Sequence, residues 1–418
     1  MGGAKSDMGV PESPSNYQYV ASMSQTIEKA PDTDTSHCLL STIMYFLASL
    51  ATIALASQGA LAATAFGWAT GTTGELTSSF RLEDSTPRTI ILDKTYDFTD
   101  TEGDATGPGC VPWTCSPNAQ LALDGPNWCA STPTKKSSVI FTKGTFTYKK
   151  AATTAIRIGS NKTLRGKGNS GWIKGKGLSI VGSTNIIIQN IRISDLNQKY
   201  VWGGDALTIW GGSKIWIDHN YFKDVGRQFI VTGFDPSMQV TISNNYFDGR
   251  ATYTPFCDGY HYWGTIVSGK ADTVTFAYNY VYHASGRAPK VGGDASSTQT
   301  IHMYNNYFHD ISGHALDAAG GARILFEGNY IESVKTPSTG NKDGAVFAPT
   351  SSSMNAQCAN AIGRNCVSNT LVSSGSLSNA ANSGVLGDFK KSFVTSNRVL
   401  DASAVKAHVL ANAGLGKI

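Results

Sequence analysis

A short phrase recurs through the middle of this chain: Asn, then Tyr or Ile, then as a rule an apolar residue. It stands at Asn190-Ile191, Asn220-Tyr221, Asn245-Tyr246, Asn279-Tyr280, Asn306-Tyr307 and Asn329-Tyr330. Five and three positions before each Asn come apolar pairs: Ile215/Ile217, Val240/Ile242, Val274/Phe276, Ile301/Met303 and Ile324/Phe326, with Asn185/Ile187 a partial exception in the first copy. Alternation of this kind makes each copy a strand with one inward face. Polar residues between the apolar ones, such as Asp218, Ser243 and Glu327, are expected to face out. The copies are 23 to 34 residues apart, the length of one solenoid coil built from strands. A β-sandwich would carry no such phased repeat. Asn suits the bend after each strand because it tolerates left-handed backbone. Stacked coils would set these amides about 4.8 Å apart, each bonded to the next. The fold class is therefore all-β, a β-solenoid whose unequal spacings are loops on one side, where function tends to gather.

The 418 residues need only one such domain, since a solenoid grows in one dimension. Residues 1–43 are polar, rich in Pro and Ser, without alternation, and read as an extension foreign to the fold. Residues 44–62 form an apolar run ending Ala60-Leu61-Ala62, which reads as a signal peptide; a membrane anchor would need a longer apolar run and a basic flank. The domain then covers 63–418, and from about 340 the repeat gives way to a Ser-, Asn- and Gly-rich tail that caps the coil and runs back along it. Charged residues make up 15%, aromatics 10%, and Gly is frequent at 44, a balance that suits an exported, turn-rich protein and not a nucleic-acid binder. Residues 1–62 hold two Lys and five acids, so the remainder carries +7 where the whole chain carries +4. That bias favours an acidic or partly esterified polymer as partner. Six cysteines follow the signal, an even number for an oxidising compartment, and none forms a CxxC pair. Asn161-Lys162-Thr163 is a glycosylation acceptor. Gly166, Gly168 and Gly171 fit GxGxxG, but a strand-like stretch follows where a dinucleotide site needs a helix, so these are turns.

With the repeated Asn as a ruler, Arg227 lies seven residues past its Asn, and Arg287 and His314 eight past theirs. They are expected on one face, the two arginines two coils apart, about 10 Å. Asp205 opens the strand one coil earlier. Lys290 follows Arg287 across a Pro. His261 and Trp263 lie on the coil between and are expected to meet substrate, and Trp113 and Trp128 flank the first cysteines. Aromatic rings with cations and one acid make a carbohydrate cleft: sugar faces stack on rings and guanidinium groups take carboxyls. Asp218-His219 lies on the repeat itself and is read as structural.

The stretches Trp202-Gly-Gly-Asp205, Trp216-Ile-Asp-His219, Gly226-Arg227-Gln228, Cys257-Asp-Gly-Tyr-His261-Tyr-Trp263, Ser285-Gly-Arg287-Ala-Pro-Lys290 and Ile311-Ser-Gly-His314 resemble the fungal-type pectin lyases, in the polysaccharide lyase family that also holds the pectate lyases. The resemblance implies a right-handed parallel β-helix and β-elimination within methyl-esterified polygalacturonan. By position it implies Arg287 as the catalytic base, Asp205, Arg227 and Lys290 as cleft residues, and Trp113, Trp128, Trp202 and Trp263 as the aromatic lining. It implies disulfides Cys110–Cys129, Cys115–Cys257 and Cys358–Cys366. Thr132 and Ile266 stand where some members carry rings, and the stretch 71–76 is shorter than the family's Gly-rich entry. Pectate lyases neutralise a substrate carboxylate with calcium in a nest of acids. Here Arg227 and Val231 stand where that nest would continue, so no metal or other cofactor is expected. The expected partner is pectin, met extracellularly by a monomer. A calcium-dependent pectate lyase is the runner-up, and a noncatalytic wall-binding solenoid comes after it. A polygalacturonase would need clustered Asp residues that the sequence does not show.

Overall fold

The computed structural model describes residues 65–70, 72, 82–131, 142–341 and 343–418. The expectations for 1–43, for 44–62, for Thr132 and for most of 71–76 lie outside the described residues.

Alternating apolar residues close into a single-stranded right-handed parallel β-helix. One coil runs from Gly212–Asp218 through Tyr221–Val225 to Ile230–Thr232, and the next begins at Ser237–Ser243. Nine strands stack in parallel on the first face, from Arg88–Leu92 to Ala345–Phe347. The second and third faces are joined by the long strand Tyr307–Ala318, which turns the corner between them. Inward columns are continuous: Ile186, Ile215, Val240, Val274, Ile301 and Ile324 pair rung to rung. Phe222 and Phe247 stack at 5.2 Å on the second face. Each such side chain, taken wholly from water, contributes about 1.5–3 kcal/mol.

The amide ladder forms, with a shifted start. Asn220 Nδ2 donates to Asn245 Oδ1 at 3.0 Å, Asn245 to Asn279, Asn279 to Asn306, Asn306 to Asn329, and Asn329 to Asn369. Asn190 is not a member. With Gln189 paired to Asp218 and Arg192 to Tyr221, Ile191 holds the ladder place and Asn190 stands one residue before it. The left-handed bend is likewise at the preceding residue: Asn190, His219, Asn244, Tyr278, Asn305 and Gly328 have φ between 52° and 60°. The ladder Asn thus owes its place to its amide, which satisfies buried main-chain groups on neighbouring coils. Asn279→Ala would strip an acceptor from the Asn245 N–H and a donor from the Ile242 carbonyl. A loss of about 2–3 kcal/mol is expected in urea unfolding with an unchanged m value.

The repeat extends past 340: Ala345–Phe347 and Thr370–Val372 complete a further coil. Asp218, Ser243 and Glu327 point away from the core as expected, yet all are fully buried. Residues 65–69 lie over Thr241 and Thr275 of the first face. A C-terminal layer, with the helix Ser352–Ile362, covers Leu325 and Phe347. Beneath it Arg364 grips Glu327, which also accepts from His302 Nε2. The tail does run back along the coil. Leu400 pairs with Asn305, Gly414 N donates to Asn244 O, and Gly416 N donates to Asn190 Oδ1. Asp218 bonds Ser243, Gln189 and His219, the structural role read from sequence.

Candidate active site

The candidate site residues lie at the corner between the second and third faces. Residues 104–131 and 142–149 leave the coil there, with a small sheet: Asp104–Val111 pairs antiparallel with Thr142–Lys149 and with Leu121–Leu123, which Tyr200–Val201 joins in parallel. Cys110–Cys129 closes this excursion, Cys115–Cys257 ties it to the loop before His261, and Cys358–Cys366 closes the loop after Ser352–Ile362. The three pairings are those the resemblance implied. Behind the wall, Trp128, Trp263, Tyr262 and Val201 form a separate apolar cluster, with Trp113 and Trp202 packed against it partly exposed. Trp263 is 3% exposed and its Nε1 donates to Gln120 Oε1 at 2.7 Å. Trp113 packs 6.3 Å from both Trp128 and Trp263. Four rings expected to line the cleft therefore divide: Trp128 and Trp263 are buried in the wall, while Trp113 and Trp202 stay partly exposed.

Register sets the charged groups. Leu207 pairs with Ile230, Ile230 with Thr265, Ile266 with Lys290, and Lys290 with Asp317. Counting back, Asp205, Gln228, Trp263, Arg287 and His314 occupy one column, and Arg227 stands one place earlier on its coil. The arginines are thus two coils apart but not strictly equivalent; Arg287 is level with His314, and Arg287 N–H donates to His314 Nε2 at 3.2 Å. One place past Thr265, the outward row on the third face reads Thr208, Val231, Ile266, Lys290 and Asp317.

Arg227 is held on three sides. Its Nε and Nη2 donate to Asp205 Oδ1 and Oδ2 at 2.9 and 2.6 Å, and its guanidinium lies 3.6 Å over the Trp202 ring. Asp205 Oδ1 also accepts from the Gln228 N–H at 2.8 Å. A two-pronged, nearly buried pair of this kind fixes the plane of the guanidinium. Arg287 sits at φ +50° and is 8% exposed, its guanidinium 4.9 Å from the Trp263 ring and 5.6 Å from Tyr262. Left-handed backbone at a non-Gly residue costs about 1 kcal/mol and persists where the surroundings enforce it. Gly264 accommodates it: a Cβ on Gly264 would lie 2.1 Å from the Arg287 carbonyl oxygen, so Gly alone lets the coils approach. Lys290 is half-buried in the outward row.

His261 was expected in contact with substrate, and the structure assigns it another place. It is 3% exposed, its ring packs 4.5 Å from Phe229, and its Nε2 donates to the Arg227 carbonyl oxygen at 2.9 Å. It therefore supports Arg227 from beneath. Burial pushes its pKa from the ordinary 6.5 down to about 4. The folded protein thus resists protonation that the unfolded chain accepts. Stability from this group is complete above pH 6.5 and is lost as the pH falls toward 4. The His261 contribution, read as the difference between wild type and His261→Gln, which keeps a donor, should be a loss of about 3 kcal/mol across that window in urea unfolding followed against pH. Asn161 is half-buried, with its amide donating to Ser85 O and accepting from Asn185. Sequence reasoning missed Gln120 and Gln228. The second could have been found, since it lies as far before Ile230 as Asp205 lies before Leu207.

The family model described as pectate lyase matches residues 126–418. The chain belongs to the pectate lyase family. Among curated proteins it is 45% identical to a probable pectin lyase A of Aspergillus fumigatus over 348 residues, covering 83% of this chain and 88% of that one. It is 42% identical to pectin lyase B of Emericella nidulans over 386 residues, covering 89% and 98%. Among solved structures, a Bacillus subtilis pectate lyase mutant superimposes with a TM-score of 0.50 at 19% identity, over 81% of this chain and 88% of that one. A thermostable pectate lyase does so with a TM-score of 0.50 at 18% identity, over 81% and 87%. These structures share the fold. Among the described residues no group of three or more His, Cys, Asp or Glu is placed to hold a metal ion, and no helix is long and apolar enough to cross a membrane.

Proposed function

We propose that this protein is an exported endo-acting pectin lyase that cleaves methyl-esterified polygalacturonan by β-elimination. That it is a polysaccharide lyase follows from its family and from relatives named pectin lyase, matched over 88% of their length or more. The esterified substrate, the internal cleavage and the residue roles are our reading. One observation carries it: both oxygens of Asp205 are committed to Arg227 and to the Gln228 N–H, so a guanidinium already occupies the one acid's coordinating side. To bind calcium, Asp205 would have to give up both of its bonds to the Arg227 guanidinium.

The chemistry then suits a neutral ester. The C5 proton is α to the ester carbonyl and is taken by a nitrogen of Arg287. The C5–H electron pair forms the C4=C5 double bond, the C4–O bond breaks, and the departing oxygen takes a proton from water. Negative charge gathers on the carbonyl oxygen in the transition state, where the fixed cation of Arg227 and the nearby Lys290 stabilise it. An arginine normally stays protonated. Aromatic walls and neighbouring cations favour its neutral form. The partly exposed faces of Trp113 and Trp202 receive uncharged sugar rings.

The product's conjugated double bond absorbs near roughly 235 nm, a signature of elimination that hydrolysis lacks. Rising absorbance on highly esterified pectin, unchanged by chelator, is expected. A signal confined to de-esterified substrate with added calcium would favour the pectate lyase reading, and no signal on either would leave a noncatalytic solenoid.

A further inference from the structure

Two arginines meet at this corner, and each is served by the same structural position on successive coils. Asp205 and Gln228 are level in the register, one place before Ala206 and Phe229. Asp205 serves Arg227. Gln228 serves Arg287: with its amide oriented to satisfy both ends, Oε1 accepts from Arg287 Nη1 at 3.0 Å and the nitrogen donates to the Trp263 carbonyl oxygen. Gln228 is 1% exposed. Its main chain is also fixed at both ends, N–H on Asp205 Oδ1 at 2.8 Å and C=O receiving the Ala206 N–H at 2.9 Å. One residue thus ties the Asp205–Arg227 pair to the Arg287 guanidinium.

We propose that Gln228 is the positioning residue that makes Arg287, and not Arg227, the base. This rests on the elimination reading above. A carboxylate partner stabilises the cationic form of a guanidinium, whereas an amide oxygen orients it with little preference for charge. At Arg227 the partner is the carboxylate, and the side chain stays a cation. At Arg287 the amide oxygen takes Nη1–H and fixes the plane of the fork. A carboxylate at 228 would place a negative charge 3.0 Å from Nη1, and the proton that must leave Arg287 would be held.

Gln228→Glu tests this with almost no change in shape. Relative to wild type on esterified pectin, kcat near neutral pH should fall about tenfold or more. The pH at which kcat reaches half its maximum should rise by about one unit, with KM within about twofold. A pH profile superimposable on that of wild type would overturn the proposal. Gln228→Met, uncharged and of similar volume, covers the case in which the acid does not fold. It should lower kcat about tenfold at unchanged KM and without the alkaline shift; wild-type kcat in this variant would also overturn the proposal. The elimination reading fails separately, if wild type itself gives no unsaturated product.

Discussion

Arg287→Lys is expected to lower kcat on methyl-esterified polygalacturonan about a thousandfold, with KM changed by no more than about threefold. The guanidinium reaches several partners at once: Gln228 Oε1 on Nη1, the Trp263 ring at 4.9 Å and the Tyr262 ring at 5.6 Å. A lysine offers one nitrogen on a flexible stem, so it cannot hold the amide oxygen and face C5 together. Substrate affinity should survive if Trp113, Trp202 and Lys290 bind as proposed, since all three are untouched. Absorbance kinetics and a thermal unfolding midpoint on the same preparation separate lost chemistry from lost fold. Activity within about threefold of wild type would remove Arg287 from the reaction.

Asp205→Ala should cost about 3–5 kcal/mol of stability and abolish activity with it. The substitution leaves Arg227, 6% exposed over the Trp202 ring, without the carboxylate that receives its Nε and Nη2. It also removes the acceptor of the Gln228 N–H. Most of the loss is the charge left behind, so the double variant Asp205→Ala/Arg227→Met should regain a large part of the stability and none of the activity. Urea unfolding of the two single variants and the double closes the cycle. A loss below about 1 kcal/mol in Asp205→Ala would mean that water reaches the pair and that the acid is not committed to Arg227.

Much of the architecture was legible because it is periodic. Ile215 and Ile217 announce an inward face, and Asn220 to Asn329 announce the ladder, since stacking repeats one local environment coil after coil. Errors arose where a single coil departs from the repeat. Asn190 looked like a first ladder member, but the strand pairings place Ile191 there. Asp218, Ser243 and Glu327 face outward as expected and are buried all the same, because segments far away in sequence cover them. His261 stands in a motif full of cleft residues, and only its packing shows that it faces Phe229 and the Arg227 carbonyl.

The amino-acid order determined the coil and which side chains gather at its corner, because the alternation of apolar residues and the buried amides leave a stack of strands as the arrangement that satisfies both. It could not determine which arginine meets a carboxylate and which an amide. That outcome depends on a one-residue offset between coils, on left-handed backbone at Arg287, and on Gly264 allowing the chains to touch. Contacts of this kind join residues 22 to 59 positions apart and exist once the coils are closed, so tertiary structure alone sets the two arginines apart.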